Sequence, residues 1–376
     1  MNRRGTVGTL PLSWDVLLDT PVVAQSAPSV LGQYDIALLD QFGVLHDGKR
    51  PIPGAVECVE ALLSAGKGVV VCSNSSQRKE LALSRWVNMG FPGDVGFLTS
   101  GEVSFQHLKK MLKQQGEKKQ KVLVFSWHDP ALTANWLEGL DVEQLATSDA
   151  VETADLLLFH GPDAVGSDRV PLGLGDEGAI NEAGMLVLER AARAGIKAVC
   201  ANIDLKAVDA HGNIRWMPGN LLEKYKELGG ECLGFGKPKE EFFNTALEMA
   251  ISQLQAQCTV SPVYSFQVIR NGAGKDNMQK PGVRLVRAIH VGDSLEHDIA
   301  GARAARIDSL LITNAGIHKD DFAVPAQQAV SAGPGAGGES CNAELAPQAP
   351  SLLHTVLSFC EEHGYHPPTF ILPWLR

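Results

Sequence analysis

The chain has no Cys-x-x-Cys pair, no apolar stretch approaching a membrane helix, no excess of positive charge and no internal repeat. Each absence excludes something. The seven cysteines, Cys58, Cys72, Cys200, Cys232, Cys258, Cys341 and Cys360, are odd in number and widely spaced. That pattern reads as reduced thiols in a reducing interior, not a disulfide frame or a zinc site. A membrane helix needs roughly 20 apolar residues, so no membrane is expected as a partner. A formal net charge of -10 argues against a general nucleic-acid binder, which needs a basic footprint. It leaves an anionic substrate open, because local cations override the global field. Asp15 and Asp19 interrupt the Val16-Leu17-Leu18 patch, where a signal peptide would keep a longer uncharged apolar region. Arg3 and Arg4 support an organelle transit sequence only weakly. The expectation is an intracellular, cytoplasmic protein, with organelle targeting left open.

What the chain does have is 376 residues of ordinary globular composition, 44% hydrophobic and 20% charged. That suffices for two domains, or one domain with a large insertion. Strand-like and helix-like runs alternate. Ile36–Leu39 precedes a helical pattern from Gly54 to Ala65, Gly68–Cys72 precedes one from Arg78 to Met89, and Phe97–Leu98 reads as a third, short strand. From about Ser100 the pattern changes. An amphipathic helix over 102–115 is followed by apolar strand candidates at Val122–Phe125, Leu156–Phe159 and Ala198–Ala201. After Gly230 the first pattern returns, with Leu233–Phe235, a helix over 239–254, the strand 288–292, a helix over 295–305 and the strand 309–313. Such alternation implies an α/β fold, a Rossmann-like doubly wound parallel-sheet core with an inserted α/β domain. The expected division is core 30–100, insertion 101–232, core 233–320, a low-complexity segment rich in Ala, Gly, Pro and Gln at 323–350, and a C-terminal helix and tail at 351–376. Residues 256–284 show no sustained period and read as a surface insertion, and 323–350 as a disordered one.

Four segments carry chemistry. Asp40 ends the strand after Tyr34-Asp35-Ile36-Ala37-Leu38-Leu39, Ser73-Asn74 ends the next, Lys237 opens a helix in Gly236-Lys237-Pro238, and Asp293 ends another strand with Asp298 five residues on. All would meet at the carboxyl edge of the sheet. Crowded carboxylates are costly without a cation between them, and an all-oxygen set points to Mg²⁺. A hydroxyl, a lysine and a helix N-terminus beside that ion make a phosphate cradle, and a carboxylate next to a bound phosphate can act as nucleophile. The letters Gly173-Leu174-Gly175-Asp176-Glu177-Gly178 match a dinucleotide fingerprint, but they follow a proline-containing loop and not a strand, so that reading is rejected. Cys72 is read as packing, His297, inside the fourth segment, as a satisfied surface or core histidine rather than a site residue, and Trp127 and Trp216 as core by default.

Taken in order, Asp40 to Leu45, Ser73-Asn74, Gly236-Lys237-Pro238 and Gly292-Asp293 with Asp298 resemble the four motifs of the haloacid dehalogenase superfamily. The interval between the second and third resembles the class IIA cap, as in 4-nitrophenyl phosphatase-like and pyridoxal phosphatase-like enzymes. The resemblance covers most of residues 34–320. It implies a Mg²⁺-dependent phosphomonoester hydrolase acting on a small phosphorylated metabolite, with Asp40 as nucleophile and metal ligand. The carbonyl of Phe42 and Asp293 would be further ligands, and Asp298 would act through water or by orienting. Ser73, the Asn74 backbone and Lys237 would bind the phosphoryl group. Self-association is a common habit of capped relatives.

The departure from the pattern is Phe42. Phosphatases of this family usually carry a second Asp there, which protonates the leaving oxygen and then activates water. Such help is typically worth about 10²–10⁴-fold, and Phe cannot supply it. Three consequences follow. Another group substitutes, with His46 and Asp47 the nearest in sequence; or the enzyme is slow and suited to good leaving groups; or the protein has lost turnover and binds a phosphorylated ligand or a protein partner. Dehalogenases of the superfamily also lack that Asp, but they use no Mg²⁺ and do not usually carry this cap.

Overall fold

The computed structural model describes residues 21–114, 119–147, 149, 151–173, 179–208, 213–257, 265–272, 282–322 and 351–375. The low-complexity stretch 323–350 and most of the Gly173–Gly178 fingerprint lie outside the described residues.

The central sheet has seven strands, all parallel, in the order Val22–Val23, Phe370–Leu372, Asp308–Ile312, Ala288–Gly292, Ile36–Leu39, Gly68–Ser73, Gly96–Thr99. The inner strands are continuous apolar runs because both faces are covered. Period-two alternation then sorts their side chains. Ala37, Leu39, Val69, Val71, Ile289 and Val291 pack on one side with Val59, Leu62 and Trp86 from the helices Ala55–Ser64 and Lys79–Asn88. Ile36, Leu38, Val70 and Cys72 pack on the other with Phe243 and Leu247 from the helix Glu240–Gln257. From the pair Ala288–Gly292 and Ile36–Leu39 chain order runs outward to Gly96–Thr99 on one side and to Phe370–Leu372 on the other, with Val22–Val23 added at that edge. That pair is therefore the topological switch point, where open α/β sheets bind ligands.

A second sheet lies between the halves of the first in sequence. Its strands run Cys232–Gly234, Ala198–Cys200, Leu156–Phe159, Gln120–Ser126, Ala164–Val165, Val170–Pro171, with Val142–Gln144 also paired to Gln120–Ser126. The helices Glu182–Arg193 and Gly219–Glu227 cover one face, and Ser100–Gln114 and Pro130–Leu137 the other. A hairpin of Lys206–Val208 and Ile214–Trp216 projects from this cap.

Two expectations are corrected. Residues 233 and 234 were expected in the core, but Cys232–Gly234 pairs with Ala198–Cys200 in the cap sheet, so the chain returns to the core after Gly234. Residues 256–284 were expected to hold no strand, yet Ser265–Val268 and Val283–Val286 form a parallel pair that buries Val268 and Val286. Four-residue strands are too short for a period to declare itself. Several short elements were not expected, among them the strands Val22–Val23 and Phe370–Leu372 and the helix Ala27–Leu31. Among the described residues no helix is long and apolar enough to cross a membrane.

Candidate active site

Two carboxylates leave adjacent strands at the switch point. Leu39 stands opposite Val291, and the Asp40 N–H donates to the Val291 carbonyl at 2.9 Å. Asp40 and Asp293 thus emerge side by side. Beyond Asp293 the chain makes a wide turn in which the N–H groups of Asp298 and Ile299 both donate to the Ser294 carbonyl, at 3.0 and 3.1 Å. Turns of this i→i+5 kind are frequent at functional sites. The turn brings Asp298 back beneath the strand end, where its Oδ2 accepts the N–H groups of Asp293 (3.2 Å) and Ser294 (3.1 Å). Carboxylate oxygens of Asp40, Asp293 and Asp298 lie within 4.8 Å of one another, all three residues buried.

Lys237 enters from the start of the helix Glu240–Gln257. Its Nζ donates to Asp40 Oδ1 at 2.5 Å and to Asp298 Oδ1 at 2.7 Å. Asn74 fixes its backbone from both sides, accepting the Lys237 N–H at 2.7 Å and donating to the Lys237 carbonyl at 3.0 Å. Gly236 before it has φ +115°, and a Cβ there would sit 2.2 Å from Asn74 Oδ1. Only glycine permits that approach. Ser73 ends its strand with Oγ accepting the Ser75 N–H at 3.1 Å, which caps a turn and not the following helix. Its hydroxyl hydrogen stays available to a ligand.

The charges are unequal. Burial raises Asp40 to about 6, with Lys237 pulling it down and Asp298 pushing it up. Burial also raises Asp293 well above the carboxylate range, and the Asp40 charge adds to it. Burial acts the same way on Asp298, but Lys237 and His290 outweigh it and hold that carboxyl well below its usual value. For Lys237 burial favours the neutral amine, yet Asp298 and Asp40 overcome it and keep the ammonium firmly charged.

The site opens into a cavity of about 320 Å³ between core and cap. All seven sequence-expected residues line it: Asp40, Phe42, Ser73, Asn74, Lys237, Asp293 and Asp298. His46 and Asp47 do not. The His46 ring faces its own turn, with Nε2 donating to Gln41 Oε1 (3.1 Å) and Nδ1 accepting the Gly48 N–H (3.1 Å), and burial lowers it to about 4. Asp47 is exposed and accepts the N–H groups of Lys49 and Arg50. Neither can replace an acid at position 42. His297 and Asp204 do line the cavity, His297 Nε2 standing 3.6 Å from Asp204 Oδ1. Asn202 makes a turn, its Oδ1 accepting the Asp204 N–H at 2.8 Å, and also faces the cavity. Trp127 is a wall residue, whereas Trp216 is not. Cys72 is fully buried in its strand, its thiol pushed up by that burial. Sequence reasoning missed Arg85, Lys206 and Arg215, because nothing local in a short hairpin or an exposed helix face marks a cavity lining.

Both parts of the core match sequence models of known families: a haloacid dehalogenase-like hydrolase model over residues 37–135 and a second of the same kind over 234–330. Chronophin from Rattus norvegicus is 47% identical over 66 residues, 17% of this chain and 21% of that protein. A 4-nitrophenylphosphatase from Schizosaccharomyces pombe is 32% identical over 95 residues, 25% of this chain and 32% of that protein. The chain therefore aligns with a fifth to a third of the length of these relatives. Among solved structures, a possible sugar phosphatase of the superfamily from Cytophaga hutchinsonii superposes with a TM-score of 0.60 at 18% identity, over 94% of this chain and 98% of that one. A haloacid dehalogenase-like hydrolase from Brucella suis gives 0.57 at 20% identity, over 80% and 93%. At such identities the structures speak for the fold. By sequence, both parts of the core are haloacid dehalogenase-like, as the four motifs had indicated.

Proposed function

We propose that the protein is a Mg²⁺-dependent phosphomonoester hydrolase that acts on a small phosphorylated metabolite through an aspartyl-phosphate on Asp40. The observation that carries this reading is the convergence of a buried carboxylate cluster, one lysine and a hydroxyl-bearing strand end at the switch point of the sheet. The donor set fits a hard divalent cation, since it is all oxygen and carries more negative charge than Lys237 offsets. Asp293 has one oxygen held by the Ile317 N–H at 2.7 Å, leaving Oδ1 without a donor among the described residues. The Phe42 carbonyl likewise accepts no hydrogen bond among the described residues. Asp40, that carbonyl and Asp293 would hold the ion, and Asp298, with both oxygens taken by N–H donors, would orient the set. Bound there, the ion would offset charge on the transferring phosphoryl oxygens.

Asp40 attacks phosphorus, the bond to the leaving oxygen breaks, and that oxygen departs with the electron pair. Lys237, the Ser73 hydroxyl and the Asn74 N–H hold the phosphoryl oxygens. Water then attacks the phosphorus and frees Asp40 as phosphate leaves. The cap walls exclude bulk water during both steps. Phe42 supplies no proton to the leaving oxygen and accepts none from the attacking water. The reaction is therefore slow for poor leaving groups and limited by the second step for good ones.

A second reading, binding without turnover, is favoured by Phe42, a residue of the cavity lining whose side chain can neither give nor take a proton. Phosphate release from 4-nitrophenyl phosphate and a panel of phosphorylated metabolites, with Mg²⁺ and with EDTA, separates the two. Metal-dependent release by wild type that is lost in Asp40→Asn supports the hydrolase. Equal release by Asp40→Asn excludes it, and no release by folded, Mg²⁺-binding protein favours the binder.

A further inference from the structure

The cavity has two ends of opposite character. One is the carboxylate cluster with Lys237. The other is walled by the cap, where Trp127 and Leu132 meet the hairpin face carrying Ala207, Arg215 and Met217. In the hairpin register Ala207 stands opposite Arg215, so these two side chains share a face with Met217, two residues further on. Arg85 reaches the cavity from the helix Lys79–Asn88, and Lys206 stands at the hairpin entrance. Three cations besides Lys237 thus line the cavity in a chain whose net charge is -10.

Arg215 is held in place. Its guanidinium lies 4.7 Å from the centroid of the Trp127 ring, and its Nη2 is 3.4 Å from Asp163 Oδ2. Trp127 is itself fixed, donating from Nε1 to Ser76 Oγ at 2.9 Å and accepting at its carbonyl from Arg169 at 3.0 Å. A stacked, pre-oriented guanidinium loses little freedom on meeting a ligand and offers paired donors to a planar or tetrahedral anion. Arg85 and Lys206 pair with no carboxylate among the described residues. The acids nearby are Asp163, which meets Arg215 itself, and Asp204, whose Oδ1 already accepts from Asn74 at 2.7 Å. A cavity of about 320 Å³ is at the small end of ligand sites, so a group bound beside Arg215 belongs to the same small molecule whose phosphoryl group meets Lys237.

We propose that the Arg215 end of the cavity is a subsite for a second anionic group, which makes the preferred substrates small phosphomonoesters that also carry a carboxylate or a second phosphate. This rests on the hydrolase reading only for the fate of the first phosphoryl group. The Trp127–Arg215 wall selects the body of the molecule, and Lys206 and Arg85 in the lining add field without fixing geometry.

The test compares three probes of one length: propyl phosphate, 3-(phosphonooxy)propanoate and propane-1,3-diol bisphosphate. Turnover is measured on the wild-type protein with Mg²⁺, and binding by calorimetry on the same protein and on Asp40→Asn. At least one charged probe should exceed propyl phosphate by about tenfold or more, the scale of one charge-assisted hydrogen bond. That preference should collapse in Arg215→Ala and survive in part in Arg215→Lys. The charged probe that wins assigns the group as carboxylate or phosphate. Equal handling of all three probes, or a preference that persists in folded Arg215→Ala, overturns the subsite. Preference in binding with no turnover of any probe, nor of 4-nitrophenyl phosphate with its good leaving group, keeps the subsite and removes the hydrolase reading. Turnover of all three without preference does the reverse.

Discussion

Asn74 carries no charge, yet it joins three parts of the site. Its amide grips both backbone groups of Lys237 and also donates to Asp204 of the cap at 2.7 Å. Truncation to Ala leaves the buried Lys237 N–H without its acceptor, a loss of about 1–3 kcal/mol. Asn74→Ala should therefore lower the urea midpoint and, by freeing Lys237, reduce turnover more than substrate binding. Phe42 gives the complementary case. Phe42→Asp returns a proton carrier to the cavity wall and should raise turnover of poor leaving groups by about 10²-fold or more, read from steady-state rates on alkyl phosphates. No gain would mean that the site lacks more than an acid. The residue types of the site were legible in the sequence because carboxylates and a lysine at apolar run ends have few other uses. Their partners were not. The Asn74–Lys237 and Lys237–Asp40 contacts span 163 and 197 positions, and only the sheet order brings them together. His46 looked close to Asp40 in sequence, but its ring turns away because Gln41 and Gly48 satisfy both nitrogens.

At the scale of elements, the site is made by strand ends and the turns that follow them. The turn around Gly316 presses on the cluster from outside. Gly316 has φ +79°, and a Cβ there would fall 1.7 Å from Asp293 Oδ2, while the next N–H, from Ile317, holds that oxygen at 2.7 Å. Gly316→Ala should cost about 1–3 kcal/mol in backbone strain alone and should weaken Mg²⁺ binding measured by calorimetry, because Asp293 must move. Unchanged metal affinity would show that Asp293 is not held by this turn. The parallel strands were readable as continuous apolar runs bounded by glycine and acids, since burial on both faces removes the polar alternation. Leu233 and Gly234 were assigned to the wrong sheet because a three-residue strand carries no mark of which edge it will join. Ser265–Val268 and Val283–Val286 were missed for the same lack of length.

Across the whole molecule, the cap is tied to the core by a buried relay. Trp127 N–H meets Thr133 Oγ1 at 3.4 Å, the Thr133 hydroxyl meets His160 Nδ1 at 2.9 Å, and His160 Nε2 donates to the Ser76 carbonyl at 3.2 Å. Burial lowers His160 to about 3, so the ring is neutral in the fold. In the unfolded chain it takes up a proton near pH 6.5, so the unfolded state binds more protons below that pH. Stability contributed by the neutral ring is complete above about pH 6.5 and falls toward pH 3 by up to about 1.4 kcal/mol per pH unit. Urea midpoints of wild type and His160→Asn at pH 7, 6 and 5 should converge as the pH falls, and a constant gap would show that His160 titrates alike in the folded and the unfolded chain. A second α/β layer interrupting the first sheet in sequence was legible from the change of pattern near Ser100. The cavity between cap and core was not, because its cap wall is made by Trp127, Arg215 and Met217, which share no local pattern.

The account rests on Asp40 forming a covalent bond to phosphorus, and rapid-quench kinetics with 4-nitrophenyl phosphate test it most directly. With a good leaving group and no acid–base residue at position 42, the first step outruns the second. Wild-type protein with Mg²⁺ should release a burst approaching one nitrophenolate per chain, followed by a slow steady rate, and Asp40→Asn or EDTA should abolish both phases. Equal product formation by Asp40→Asn, or none from folded, Mg²⁺-loaded wild type, would contradict the account.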